Sequence, residues 1–135
     1  MKFQTHSHSI FNLKIHLIVV VAYRRKVISS LIMQTLRETI TEVCESFSVN
    51  VLEFSGEMDH VHLLLEIVPT IRISDLVRTI KSVTSRRVRE KHWSEIKSKL
   101  WGKRFWTRSY CVLSVGDGAN KETIKKYIQN QCSPS

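Results

Sequence analysis

Two imidazoles two residues apart, His60-Val61-His62, are the most chemically pointed feature of this 135-residue chain. On a strand over His60–Val68, alternation puts His60, His62, Leu64 and Glu66 on one face and Val61, Leu63, Leu65 and Ile67 on the other. Two neutral imidazoles side by side on such a face can share one metal ion. The spacing alone is unspecific: His6-Ser7-His8 repeats it in a polar N-terminal stretch, and satisfied polar histidines on a sheet face are the competing reading. Glu66 could join such a metal or pair with a cation. His16 and His92 stand singly and read as structural or surface groups. Near the C-terminus, Ile124, Tyr127, Ile128 and Gln131 recur at i, i+3, i+4 and i+7 and share one helix face. They form either a core stripe with a Tyr hydroxyl at its edge, or a nucleophilic phenol followed by an amide that reaches the same site. A phenol can attack a phosphodiester when a metal polarises the phosphate. The phosphotyrosine produced conserves the energy of the broken bond and permits religation without ATP.

The charge points to phosphate as well. The net charge is +9, from 21 Lys and Arg against 12 Asp and Glu, and it is unevenly placed. Residues 72–108 hold twelve basic and three acidic groups, whereas residues 37–66 hold one basic and seven acidic groups. The basic block interleaves Trp93, Trp101, Phe105 and Trp106 with Lys97, Lys99, Lys103, Arg104 and Arg108. Cations hold a nucleic-acid backbone, and rings offer stacking faces to unpaired bases, although a small domain needs some of those rings in its core. The alternative is a solvated helix face.

The elements that must position these groups follow from periodicity. Phe11–Tyr23 reads as a central strand, apolar on one face and turning apolar on the other. A basic turn, Arg24-Arg25-Lys26, precedes a helix over Ile28–Phe47, with Ile28, Leu31, Ile32, Leu36, Ile40, Val43 and Phe47 at helical spacing. Val49–Phe54 and His60–Val68 read as a hairpin with Gly56 in its turn. Ser74 is the expected N-cap of a helix to Lys91. Tyr110–Val115 is a fourth strand, and a last helix over Ala119–Gln131 follows the Gly116-Asp117-Gly118 break. The order β-α-β-β-α-β-α predicts an α+β, ferredoxin-like (RRM-like) four-stranded antiparallel sheet with two helices on one face, an open second face, and a C-terminal tyrosine-bearing helix. Residues 1–9 are expected as a flexible arm and 10–135 as a single domain. Cys44, Cys111 and Cys132 lack metal or disulfide spacing and read as reduced thiols of a cytoplasmic protein. The longest apolar run, Leu17 to Ala22, is too short to span a bilayer.

In combination these segments resemble one family. Gly56-Glu57-Met58-Asp59-His60-Val61-His62-Leu63-Leu64-Leu65, Lys81-Ser82-Val83-Thr84-Ser85-Arg86-Arg87 and Tyr127-Ile128-Gln129-Asn130-Gln131 are similar to segments of the single-tyrosine HUH transposases. These are small insertion-sequence enzymes that move DNA as single strands. The resemblance runs from about Ile10 to Gln131. It implies His60 and His62 as metal ligands with Gln131 as the third, where Asn130 competes and Gln129 points away, and Tyr127 as the nucleophile. It further implies a divalent metal ion, Mg²⁺ or Mn²⁺, and a homodimer in which one subunit's tyrosine helix can complete the other's histidine site. The implied substrate is single-stranded DNA with hairpin ends, for which Arg78, Lys81, Arg86, Arg87, Arg89, Lys103, Arg104 and Arg108 are the candidate contacts. The alternatives are a non-catalytic nucleic-acid-binding module on the same fold, or a related HUH replication-initiator nuclease.

Overall fold

In the computed structural model, which describes residues 5–6, 9–10, 13–100, 104–115 and 121–130, the chain order is β1 (Thr5–His6), β2 (Ser9–Ile10), β3 (Leu13–Val20), α1 (Ser30–Ser46), β4 (Asn50–Glu57), β5 (His60–Ile67), α2 (Ile73–Ile96), β6 (Cys111–Ser114) and α3 (Lys121–Asn130). Strands β1 and β2 pair with each other within the N-terminal stretch. The remaining four form one antiparallel sheet in the order β4-β5-β3-β6, the ferredoxin-like arrangement that the element order predicts.

Alternation decides which face meets the helices. Ile15, Leu17, Val19 and Val21 of the β3 segment and Val61, Leu63, Leu65 and Ile67 of β5 are buried together with Ile32, Leu36 and Ile40 of α1 and Leu76, Ile80 and Val88 of α2. Each such side chain, fully buried, contributes about 1.5–3 kcal/mol, so this layer holds β5 in register and its histidines on the far face. That face is not left bare, as the periodicity suggested. Ile18 and Val20 point to it, and neither is exposed to solvent.

Local chemistry explains the element ends. The Ser29 hydroxyl accepts from Ile32 N–H at 3.3 Å, so α1 starts after Ser29 rather than at Ile28. Helix α2 starts one residue before the expected cap Ser74 and has no side-chain cap; Asp75 in its first turn meets the helix dipole instead. It also runs beyond Lys91. The backbone departs from helical at His92 (φ −127°), yet Val88 and Ile96 are both buried across the break, and the His92 ring bonds Thr35 of α1 at 2.7 Å. Gly56 lies inside β4, not in the turn. A Cβ there would stand 2.5 Å from the His60 carbonyl oxygen, so this close approach of backbones requires glycine.

Beyond β6 the edge of β3 is paired further. Ala22 N–H donates to the Phe105 carbonyl at 2.9 Å and Thr107 N–H to Val20 at 2.8 Å. Phe105 and Trp106 are consequently core residues, and the indole N–H of Trp106 bonds Thr84 at 2.9 Å. Of the four rings in the basic block, these two offer no stacking face. Trp93 is half exposed, and Trp101 lies outside the described residues.

Candidate active site

His60 opens β5 beside the short Met58-Asp59 turn, and that turn is tied down. Val21 N–H donates to the Asp59 carbonyl at 2.8 Å and Ile28 N–H to the Met58 carbonyl at 2.9 Å. The Asp59 carboxylate then bonds in two directions: Oδ1 to His60 Nδ1 at 2.9 Å and Oδ2 to Arg24 Nε at 3.1 Å. Tyr23 and Arg24 take left-handed backbone (φ 61° and 52°), which is uncommon outside glycine and here turns the chain so that Arg24 reaches Asp59. Burial alone would raise the Asp59 pKa. The hydrogen bonds from His60 and Arg24, with their charges, outweigh it and hold the carboxyl below its ordinary 3.8. The carboxylate is therefore ionised at neutral pH and fixes the imidazole, leaving Nε2 as the free ring nitrogen. A carboxylate behind a histidine in this way is the usual support of a metal ligand.

One group of ligand atoms, from Glu57, Asp59 and His60, falls within 4.8 Å and could hold a divalent cation. The Arg24 guanidinium on Asp59 opposes a cation placed directly on that carboxylate. The arrangement better suits Asp59 behind His60 than in front of it.

His62 follows on the same face, half-buried. Burial, then the neighbouring His16 and His60, lower its pKa from 6.5, so it is neutral at pH 7, as a metal ligand must be. Its Nε2 lies 2.8 Å from Nδ1 of His16, with ring centroids 5.0 Å apart. Sequence reasoning set His16 aside because it stands alone in the chain. The antiparallel register, Ile18 opposite His62 and His16 opposite Leu64, makes it a neighbour. The polar opening of that strand face was the available signal. Glu66 does not join the histidines; it is buried and accepts from the Asn50 amide at 3.1 Å.

The tyrosine approaches from the other edge. Reading across the sheet, Ser55, His62, Ile18 and Cys111 form one row. Tyr127 of α3 is half-buried, with its hydroxyl 3.4 Å from the Ser109 hydroxyl. Burial raises its pKa above 10, the Ser109 bond counters this, and Cys111 adds to the rise. Tyr127 is thus tied to Ser109, just before β6, and Cys111 on that strand lies two strand spacings, about 10 Å, from His62. Asn130 is exposed, and Gln131 falls outside the described residues, as does Lys103.

Of the candidate DNA contacts, Arg78, Lys81, Arg104 and Arg108 converge on one cavity of about 460 Å³, alongside Trp106 and Tyr110. Within it Arg104 has a buried guanidinium nitrogen with no hydrogen-bond partner among the described residues. Lys81 is already committed: its ammonium donates to the Thr107 and Ser109 carbonyls at 2.7 and 2.8 Å, and burial lowers its pKa to about 8. Arg87 is turned to α1, where it bonds Glu42 and Thr39. Arg78 pairs with Asp75 at 2.8 Å but is exposed, as are Arg86 and Arg108, and Arg89 contacts Ser85 at 3.4 Å.

A family profile described as "Transposase IS200 like" matches residues 9–131, which includes both histidines, the tyrosine and Gln131. The chain belongs to the IS200-like transposases. It is similar to the ISDra2 transposase TnpA of Deinococcus radiodurans, with 33% identity over 122 residues covering 90% of this chain and 86% of that protein. The transposase for insertion sequence element IS200 of Salmonella typhimurium shows 30% identity over 125 residues, covering 93% and 80%. Among solved structures, a crystal structure described as a transposase from D. radiodurans superposes with a TM-score of 0.86 at 28% identity, covering 95% of this chain and 97% of that one. A REP-associated tyrosine transposase bound to a REP hairpin shares the fold at a TM-score of 0.57 and 14% identity, covering 93% and 67%. No helix among the described residues of this IS200-like transposase is long and apolar enough to cross a membrane.

Proposed function

We propose that this transposase, acting as a single domain in the cytoplasm, cleaves and rejoins single-stranded DNA through a 5′-phosphotyrosine on Tyr127. The observation that carries the reading is the family match over residues 9–131, which spans His60, His62 and Tyr127, together with two prepared imidazoles. His60 is held by Asp59 with Nε2 free, and His62 is neutral beside it. These residues fit a divalent metal ion, Mg²⁺ or Mn²⁺, with Gln131 as the third ligand. When bound, such an ion supplies Lewis-acid polarisation of a phosphate oxygen and offsets the charge that develops there.

The chain's own part is nucleophile, alignment and grip. The Tyr127 phenol, its pKa raised above the ordinary 10 by burial, is protonated at rest and gives its proton to solvent water as its oxygen bonds to phosphorus. The bond from phosphorus to the 3′ oxygen breaks, and that oxygen departs as a 3′-hydroxyl after taking up a proton. Rejoining reverses the step: a 3′-hydroxyl attacks the phosphotyrosine and returns the phenol. Hairpin ends are gripped by Arg78, Arg86, Lys103, Arg89, Arg104 and Arg108, while Lys81 and Arg87 shape that surface from within. Two copies of the chain form the working homodimer. In it, α3 of each copy completes the histidine site of the other.

The test is a denaturing gel with a single-stranded hairpin end and Mn²⁺. Wild type should yield a covalent protein–DNA adduct, and Tyr127→Phe none. An adduct persisting in Tyr127→Phe would overturn the nucleophile. Chelation should stop cleavage and leave hairpin binding intact; cleavage continuing at full rate without metal would overturn the role of the histidines.

A further inference from the structure

The turn that carries Arg24 to Asp59 also holds a large ring for which the core gives no reason. Tyr23 lies beyond β3, with left-handed backbone (φ 61°), and is 41% exposed. That backbone costs an aromatic residue stability, whereas glycine or asparagine takes it more easily. Burial does not offset the cost, since so much of the residue faces solvent. The Arg25 guanidinium lies over the ring, 4.6 Å from its centroid.

Register and packing fix this ring at one end of the histidine face. Val20, the last residue of β3, pairs with His60, the first of β5. The chain that follows is pinned to the turn before His60: Val21 N–H donates to the Asp59 carbonyl and Ile28 N–H to the Met58 carbonyl. Ala22 N–H donates to the Phe105 carbonyl, and the Arg24 side chain bonds Asp59. Tyr23 is therefore held from both sides, so that its strained position is over-determined by its surroundings. A cleft of about 290 Å³ lies between the two turns, lined by Arg24, Lys26, Glu57, Met58 and Asp59. Arg24 is committed to Asp59 there, whereas Lys26 is exposed and can meet a phosphate.

We propose that Tyr23, backed by Arg25, is a stacking platform for the unpaired base next to the phosphate bound at the histidines. The proposal rests on the cleavage reading above and adds to it a base-binding site outside the histidines and Tyr127. Every base has a π-face, so such a ring fixes the place of a nucleotide with little choice among bases, and the guanidinium adds a cation–π contribution. Tyr23 is a positioning residue: a nucleotide held there sets which phosphate falls at His60 and His62.

The experiment measures binding of a single-stranded hairpin end by fluorescence anisotropy, using the full chain and a set of oligonucleotides that each lack one base near the cut. The parent protein carries Tyr127→Phe, with Mn²⁺ present, so that the strand stays whole. Removing the stacked base should lower its affinity about 5- to 150-fold. Tyr23→Ala should lose as much on the intact strand and nothing further on that abasic strand. Tyr23→Phe and Tyr23→Trp should bind like the parent. Tyr23→Gly, which takes left-handed backbone freely, should melt no lower than Tyr23→Ala and still bind as weakly, which separates a lost stack from a folding defect. Equal binding by Tyr23→Ala and the parent, or a loss of one size on every abasic strand, would overturn the platform. The base concerned should adjoin the phosphate at which wild type forms its adduct; a Tyr23-dependent base elsewhere in the strand would overturn the placement at the histidines. No wild-type adduct at all would overturn the cleavage reading instead, while the affinity pattern still decides the role of the ring.

Discussion

The histidines of β5 and Tyr127 of α3 are held by different means. The histidine end is braced from several sides. His60 bonds Asp59, Asp59 bonds Arg24, the turn between β4 and β5 is pinned by two backbone hydrogen bonds, and the strand is central with its other face in the core. The tyrosine end has one side-chain hydrogen bond among the described residues, at 3.4 Å, on a helix whose Lys125, Lys126, Gln129 and Asn130 are exposed. The difference matches the work proposed for each. A ligand set gains from fixed geometry, because misplacement costs affinity. A nucleophile that must attack, stay bonded to DNA and later be released gains from a helix that can be repositioned without breaking a core.

The contrast can be broken by substitution. The largest effect belongs to Tyr127→Phe, which should abolish the covalent adduct yet change stability by less than about 0.5 kcal/mol, since a bond at 3.4 Å contributes little. A drop of several kcal/mol in chemical unfolding would mean that α3 is braced after all. Asp59→Ala should show the reverse pattern. Losing the partner of His60 and Arg24 should cost about 2–3 kcal/mol of stability and weaken Mn²⁺ binding by roughly 10- to 100-fold. Calorimetric titration of a folded variant that retains wild-type affinity would remove Asp59 from its supporting role.

A third test concerns the strut beneath the tyrosine's partner. Lys81 ties α2 to the Thr107 and Ser109 carbonyls, with its pKa lowered from 10.5 to about 8. Between those values the unfolded chain binds more protons than the fold, so this group's contribution to stability rises with pH through about 8 to 10.5 and falls away below. Half-exposed, it should contribute only a shallow slope. The difference between wild type and Lys81→Met in thermal melts from pH 7 to 10 isolates it from opposing groups such as Cys44, whose pKa burial lifts to about 12. Identical pH profiles would show that Lys81 is not held in the way described. The smallest effect is expected for Ser109→Ala, a change of roughly threefold or less in the rate of adduct formation. A loss as deep as that of Tyr127→Phe would show that Ser109 does more than rest against the phenol.

The order and faces of the main elements were readable from periodicity, because burial under two helices forces period two on β3 and β5 and helical spacing on α1 and α2. His60, His62 and Tyr127 stand out as candidates for a related reason: each lies within a local pattern, i to i+2 on a strand or i to i+4 on a helix, and local patterns survive in one dimension. The misplaced boundaries share a cause as well. Gly56 looks like a turn residue until the His60 carbonyl is seen against it, and α2 runs through His92, whose ring is hydrogen-bonded to Thr35 on another helix. Charge was the weakest guide. Lys81 and Arg87 add to the same positive block as Arg86 and Arg108, yet the first two are spent on carbonyls and on Glu42 within the fold.

The chain by itself determined the sheet, its helix-covered side, the face that carries the H-x-H pair and the helix that carries the tyrosine, since all of these follow from spacing along a single element. Tertiary structure alone decided which groups from different elements meet: Asp59 with Arg24 behind His60, His16 beside His62, four basic side chains around one cavity, and Tyr127 against Ser109. Register and packing bring those partners together over separations of 18 to 46 residues, and such separations leave no periodic trace in the sequence.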